Sequence, residues 1–142
     1  ILLATDGSEE AELAALRAVE LADATDSELH VVHVGVVPSF LRSYPGTLGY
    51  YDKLYEQIEE ESKEWLRKES WRVKVAGGTV AGAHLRMGEV ALEIVALAEE
   101  LQADMIVMGS RGLGGVRRAL MGSVSDSVVR HAHCPVLVVR PE

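Results

Sequence analysis

The sequence has one cysteine, Cys134, so no internal disulfide can form, and a lone thiol fits a reducing compartment. Positive charge is scarce: 14 Lys and Arg stand against 22 Asp and Glu, a net charge of −8. That balance argues against a general binder of nucleic acid or of anionic membranes. No run reaches the roughly 18 apolar residues that would span a bilayer. No Met starts the chain; Ile1 opens directly into an apolar run, with no basic region or cleavage site of a signal peptide. The expectation is that a few leading residues are missing and that the protein is cytoplasmic. What is present is the balance of a soluble globular protein: 142 residues, 48% apolar and 25% charged. One domain over residues 1–142 is expected, burying roughly 68–70% of its unfolded surface without staples.

Short apolar runs alternate with helical patterns. Residues 1–4 read as a buried strand, ended by Asp6-Gly7-Ser8, a turn and helix-start cluster, with Glu9 and Glu10 in a first turn where carboxylates suit the helix dipole. Ala11, Ala15, Ala18 and Ala22 then form a narrow face of small residues that lets a helix lie close on a sheet. Residues 29–37 are apolar almost throughout, as in a parallel strand covered on both faces. Residues 39–50 contain Pro45, Gly46 and Gly49 and read as an irregular excursion. A helical stripe runs from Tyr51 through Ile58 and Trp65 to Ala76 and ends at Gly77-Gly78, although residues 71–75 also alternate like a strand. Strands follow at residues 79–87, 105–108 and 135–139, with helices marked by Val90, Ile94, Leu97 and Leu101 and by Val124, Val128 and Ala132. Four βα units closing on a strand imply a parallel sheet with helices on its faces. An eight-fold barrel would need about 250 residues, so the sheet is open. Ligands of open sheets bind at the carboxyl ends of strands.

The fourth strand runs into Gly109-Ser110-Arg111-Gly112, followed nine residues later by Gly122-Ser123-Val124-Ser125. This pattern is a phosphate cradle in physical terms. Glycines let backbone N–H groups approach an anion, a helix opening at Gly122-Ser123 presents unpaired N–H groups, and the hydroxyls of Ser123 and Ser125 can add donors. Arg111, Arg117 and Arg118 fall in the loop, and no Asp or Glu occurs from Gly109 through Val124. A Walker A loop is excluded, because no lysine follows Lys74. A dinucleotide fingerprint is excluded too, because Arg117 stands where its third glycine belongs. The competing reading is a glycine loop with solubilising arginines.

Gly109-x2-Gly112-x9-Gly122-Ser123 resembles the G-2x-G-9x-G-(S/T) signature of the ATP-binding universal stress proteins. The resemblance covers the whole chain. Asp6-Gly7-Ser8, His33-Val34, the segment from Asp104 through Gly112 and the run from His133 to Val139 are similar to the family's segments in the same order. It implies an open, doubly wound, Rossmann-like α/β fold, a three-layer α/β/α arrangement of five parallel strands with helices on both faces. It implies a homodimer through the C-terminal strand from Pro135 to Val139, whose apolar edge is open to pairing. It also implies an adenine nucleotide: ATP first, ADP or AMP as alternatives, with Mg²⁺ as an accompanying ion that Asp6 could help to hold. Ala4 and Thr5 would supply close backbone, Asp6 would lie near ribose or adenine, and the Val34 backbone would hold the adenine. Met108, Gly109, Arg111 and Gly112 would line the ribose and first phosphates. Gly122, Ser123, Val124 and Ser125 would wrap the distal phosphates, and Gly88 would border the nucleotide. Ala4 departs from the proline usual in the family at that place.

Each residue also has a plainer role. Asp6 could be a helix N-cap, as could Ser123 and Ser125. His30 and His33 lie on opposite faces of a strand and cannot share a metal; His84 reads as a surface strand residue; His131 suits the end of a helix. Cys134 reads as a buried inert thiol. Residues 44–55 could form a lid or a partner surface. The leading function is a nucleotide-dependent sensor or regulator of the stress response. The alternatives are a slow ATP hydrolase, for which no dedicated catalytic set is evident, and a dimeric interaction module that binds no nucleotide.

Overall fold

A computed structural model describes residues 1–39, 48–112 and 121–142. Their elements alternate as the periodicity requires: β1 (Leu2–Ala4), α1 (Glu9–Thr25), β2 (Leu29–Gly35), α2 (Leu48–Val75), β3 (Val80–Met87), α3 (Val90–Glu100), β4 (Ile106–Gly109), α4 (Ser123–His131) and β5 (Val136–Val139). The five strands form one parallel sheet in the order β3-β2-β1-β4-β5. β1 lies in the middle, with Ala4 beside Val32 of β2 on one side and beside Met108 of β4 on the other. The chain winds outward from β1 to β3, then returns to the far side of β1 for β4 and β5.

Continuous apolar strands are what two covered faces demand. Leu2, Val32, Ile106 and Met108 turn to the face packed by α3 and α4, with Ile94, Leu97, Ala98 and Val128. Leu3, Val31 and Val107 turn to the face packed by α1 and α2, with Ala14, Ala18, Leu66 and Val73. The layers are α/β/α. On α1 the alanines Ala11, Ala14, Ala15 and Ala18 are buried, and their small side chains let the helix lie close on β4. Its N-cap is Ser8, which accepts the Ala11 N–H at 3.2 Å.

The boundaries differ from the pattern in physically legible ways. β2 ends at Gly35, and Val36 and Val37 leave the ladder. β5 starts after Pro135, which has no N–H to give, although its carbonyl still accepts the Ile106 N–H at 3.0 Å. α2 begins at Leu48, earlier than the Tyr51 stripe suggests, and residues 71–75 are helical rather than extended. Tyr44, Arg117 and Arg118 lie outside the described residues. No described helix is long and apolar enough to cross a membrane.

Ile106 is fully buried at the centre of the α3/α4 face. Ile106→Ala should lower unfolding free energy by about 2–5 kcal/mol, read as an earlier urea midpoint with an unchanged slope.

Candidate functional site

The strand order reverses at β1, where the loops leaving β1 and β4 part to opposite faces of the sheet and open a crevice. A cavity of about 570 Å³ fills it, within the range of small-molecule sites. Twelve of the thirteen residues singled out in the sequence line it: Ala4, Thr5 and Asp6 at the end of β1, Val34 on β2, Met108 and Gly109 on β4, Arg111 and Gly112 just beyond, and Gly122, Ser123, Val124 and Ser125 at the start of α4. Val32, Val36, Val90 and Ile94 complete an apolar wall with Val34 and Met108. These four were not recognisable as site residues, because an apolar residue reads as core wherever it stands.

The root of the glycine loop is tied down by a residue from far away in sequence. Glu10, buried in the first turn of α1, accepts three hydrogen bonds. The Ser110 hydroxyl donates to Oε2, and the Arg111 backbone N–H donates to the same oxygen at 2.7 Å. The Arg111 Nε–H donates to Oε1 at 2.8 Å, with Nη2 also 2.8 Å away. Burial opposes the Glu10 charge, but the hydrogen bonds from Ser110 and Arg111, with the guanidinium's charge, outweigh it and lower the carboxyl's pKa below its ordinary 4.5. The reading of the loop as a basic island without a carboxylate therefore needs correction: tertiary packing supplies one. The glycines make this packing possible. A Cβ on Gly109 would lie 2.9 Å from the Glu10 backbone, and one on Gly112 would collide with the Asp6 carboxylate.

Several side chains differ from their expected roles. Asp6 is not the helix cap; Ser8 is, and Asp6 Oδ1 instead accepts the Ser8 N–H at 2.9 Å. The Thr5 hydroxyl turns away to donate to buried Glu69 of α2 at 2.9 Å, leaving the Thr5 backbone to line the cavity. The Ser125 hydroxyl proton, expected as a phosphate donor, goes to the scaffold, with the Ser110 carbonyl 2.6 Å away and that of Gly122 at 3.1 Å. The Ser110 carbonyl also takes the Gly122 N–H. α4 starts at Gly122 with no side chain capping it, so its first turn faces the cavity without the usual competitor for an anion. Gly88 does not reach the cavity wall: it turns the chain from β3, the strand furthest from the reversal point on that side, and gives its N–H to Gly35. Tyr51 and Tyr55 lie against each other on α2, away from the lining.

Away from the cavity, His84 is not a solitary surface residue. It stacks on His30, with ring centroids 5.2 Å apart and His30 Nδ1 3.0 Å from His84 Nε2. Burial, then the neighbouring His30 and Arg86, lower its pKa. His131 lies 2.8 Å from the Ser127 carbonyl in the last turn of α4. Burial raises the pKa of the Cys134 thiol. Among the described residues no group of three or more His, Cys, Asp or Glu is placed to hold a metal.

Chemically, the cavity offers an apolar slot at one end and, at the other, a glycine-rich backbone beside an open helix start. The family model described as the universal stress protein family matches residues 1–140. The chain belongs to that family. A universal stress protein of Methanocaldococcus jannaschii, MJ0531, is 39% identical, over 99% of this chain and 81% of that protein. The solved structure of the hypothetical protein MJ0577 superposes with a TM-score of 0.84 at 28% identity, covering 99% of this chain and 94% of that one. Two further structures of the family carry adenine nucleotides. One is a universal stress protein in complex with cAMP (TM-score 0.72, 25% identity, 99% and 96% coverage). The other is that of Archaeoglobus fulgidus in complex with dAMP (TM-score 0.71, 26% identity, 98% and 95% coverage).

Because the folded state holds Glu10 at a lowered pKa, its contribution to the stability of this universal stress protein is fully present above about pH 4.5 and is lost as pH falls through the lower, folded value. Urea unfolding of the wild-type chain and of Glu10→Gln should show the wild type more stable near neutrality, by about 1–3 kcal/mol, with the gap narrowing towards about pH 3.

Proposed function

We propose that the chain binds an adenine nucleotide, ATP in the first place, in the cavity at the carboxyl ends of β1 and β4, and acts as a nucleotide-dependent regulator. The observation that carries this is the convergence of the glycine loop, the uncapped start of α4 and an apolar slot on one cavity of nucleotide size. The base would sit between Val34, Val90 and Met108, where burial of an aromatic ring against aliphatic side chains supplies affinity without demanding polar partners. The Val34 and Thr5 backbones and Asp6 would mark the base and ribose. Gly112, Gly122, Ser123 and Val124 would meet the phosphates through backbone N–H groups, which suit a charge that must be held without a clash. The solved relatives with cAMP and dAMP support this ligand class.

Regulation fits the site better than catalysis does. Fast phosphoryl transfer needs a positioned base or metal clamp. Of the two carboxylates nearby, Glu10 is held by three donors, and Asp6 is a single group. The domain would work as a homodimer through β5, which among the described residues pairs only with β4 and leaves part of Leu137 exposed.

Titration calorimetry with ATP, ADP and AMP tests the reading. Gly122→Val, which crowds the Ser110 carbonyl and the entrance to α4, should weaken binding at least about tenfold while leaving the fold intact. An unaltered chain that binds none of the three nucleotides overturns it. Turnover should stay below about 1 s⁻¹, the low end of ordinary enzymes. Light scattering should give twice the chain mass; a monomer at every concentration would remove the dimer.

A further inference from the structure

Among the described residues lining the cavity, two are charged: Asp6 and Arg111. Arg111 is the cation expected to draw an anionic ligand, and its position in the glycine loop suggests that it grips a phosphate. The geometry assigns it elsewhere. Its Nε–H and its backbone N–H are both spent on Glu10, which stands behind the wall on α1 and does not itself line the cavity. The pair is largely enclosed, with the Glu10 side chain 11% exposed and the Arg111 side chain 21%. An arginine held by two of its nitrogens on one carboxylate oxygen is fixed in direction, and the joint charge of the pair is zero.

We infer that Glu10 is a specificity-determining residue of the nucleotide site. By neutralising Arg111 it removes that guanidinium's pull on the ligand's phosphates, so Arg111 adds little to any preference for a longer phosphate chain. This rests on the nucleotide reading above. A bare guanidinium there would favour ATP over AMP, because each added phosphate charge would be attracted to it. A bare Glu10 carboxylate would do the reverse. Held together, the two contribute little to the choice between mono- and triphosphates or to its dependence on salt. Glu10 acts as a positioning residue for the same reason: its Oε2 accepts from Ser110 and from the Arg111 backbone, setting the direction in which the chain enters Gly112.

The test is the ratio of AMP to ATP dissociation constants in four proteins, because a general loosening of the fold moves both constants together and leaves their ratio. Glu10→Gln, which keeps the shape and removes the negative charge, should raise the preference for ATP on the order of tenfold, with a steeper loss of ATP affinity in salt. Arg111→Gln should lower the preference by a similar factor. The double variant, neutral at both positions, should return to near the wild-type ratio. If the double variant instead loses ATP as Arg111→Gln does, Arg111 is a direct phosphate ligand and the inference fails. A ratio unmoved by Glu10→Gln in a protein that still binds nucleotide also overturns it, while leaving nucleotide binding standing. A wild-type chain that binds neither nucleotide overturns both. If Glu10→Gln does not fold, the wild type alone decides: by ¹⁵N-edited NMR, the Arg111 Nε–H should remain protected from exchange when ATP binds. Its exchange at the rate of an exposed arginine would show that the phosphate had taken the guanidinium from Glu10.

Discussion

The central position of β1 sets the rest of the structure. Because β2 and β4 flank it on opposite sides, the connections leaving β1 and β4 run to opposite faces of the sheet, and the space above those two strand ends cannot be filled by either. A cavity at that place follows from the winding of the chain and needs no particular side chain. What the side chains decide is how the cavity is lined. Strand residues buried on both faces must be apolar, so the part of the cavity nearest the sheet is an aliphatic slot. The connections beyond the strand ends carry backbone N–H groups that no ladder satisfies, so the outer part is polar. One geometric fact thus divides the site into two ends with different chemistry.

The polar end would be unstable if left to the loop alone. A glycine-rich segment loses much conformational entropy when it orders, and a buried arginine needs a partner. Glu10 meets both needs. Its carboxylate is fully hydrogen-bonded, which offsets the cost of burying it, and it joins the first turn of α1 to the chain leaving β4. The short side chains of α1 and the missing Cβ of Gly109 let helix and strand end approach closely enough for this contact. A second tie runs through the Ser110 carbonyl, which takes the Gly122 N–H and the Ser125 hydroxyl and fixes where α4 begins. The first tie pairs the Arg111 charge and the second sets where the helix starts.

Membership of the universal stress protein family and the presence of adenine nucleotides in solved relatives agree with a site of this shape. In this chain the Glu10–Arg111 pair stands at the root of that site. Elements were legible because burial writes itself into periodicity: the continuous apolar runs of β2 and β4 could only be strands covered twice, and the alanine stripe of α1 could only lie close to a sheet. The glycines of the loop were legible because their spacing is set by backbone approach to a ligand or a neighbour, which is a property of position along the chain. Boundaries at β2 and α2 were less so, since Val36, Val37 and residues 48–50 carry no signal that separates a strand or helix from its extension.

Composition and periodicity by themselves determined an open parallel sheet and its helices, and glycine spacing marked the loop after the fourth strand, because each of these depends on local pattern; the twelve residues that meet at one cavity came from the family resemblance. Tertiary structure alone decided what those residues do with their polar atoms. That Glu10 answers Arg111 across about a hundred positions, that Thr5 turns to Glu69, that the Ser125 hydroxyl serves the scaffold and that His84 meets His30 are consequences of which elements the fold lays side by side. A hydrogen bond acts over about 3 Å in space and is indifferent to distance along the chain. Pattern therefore indicates which residues are buried, and only packing decides which of them are paired.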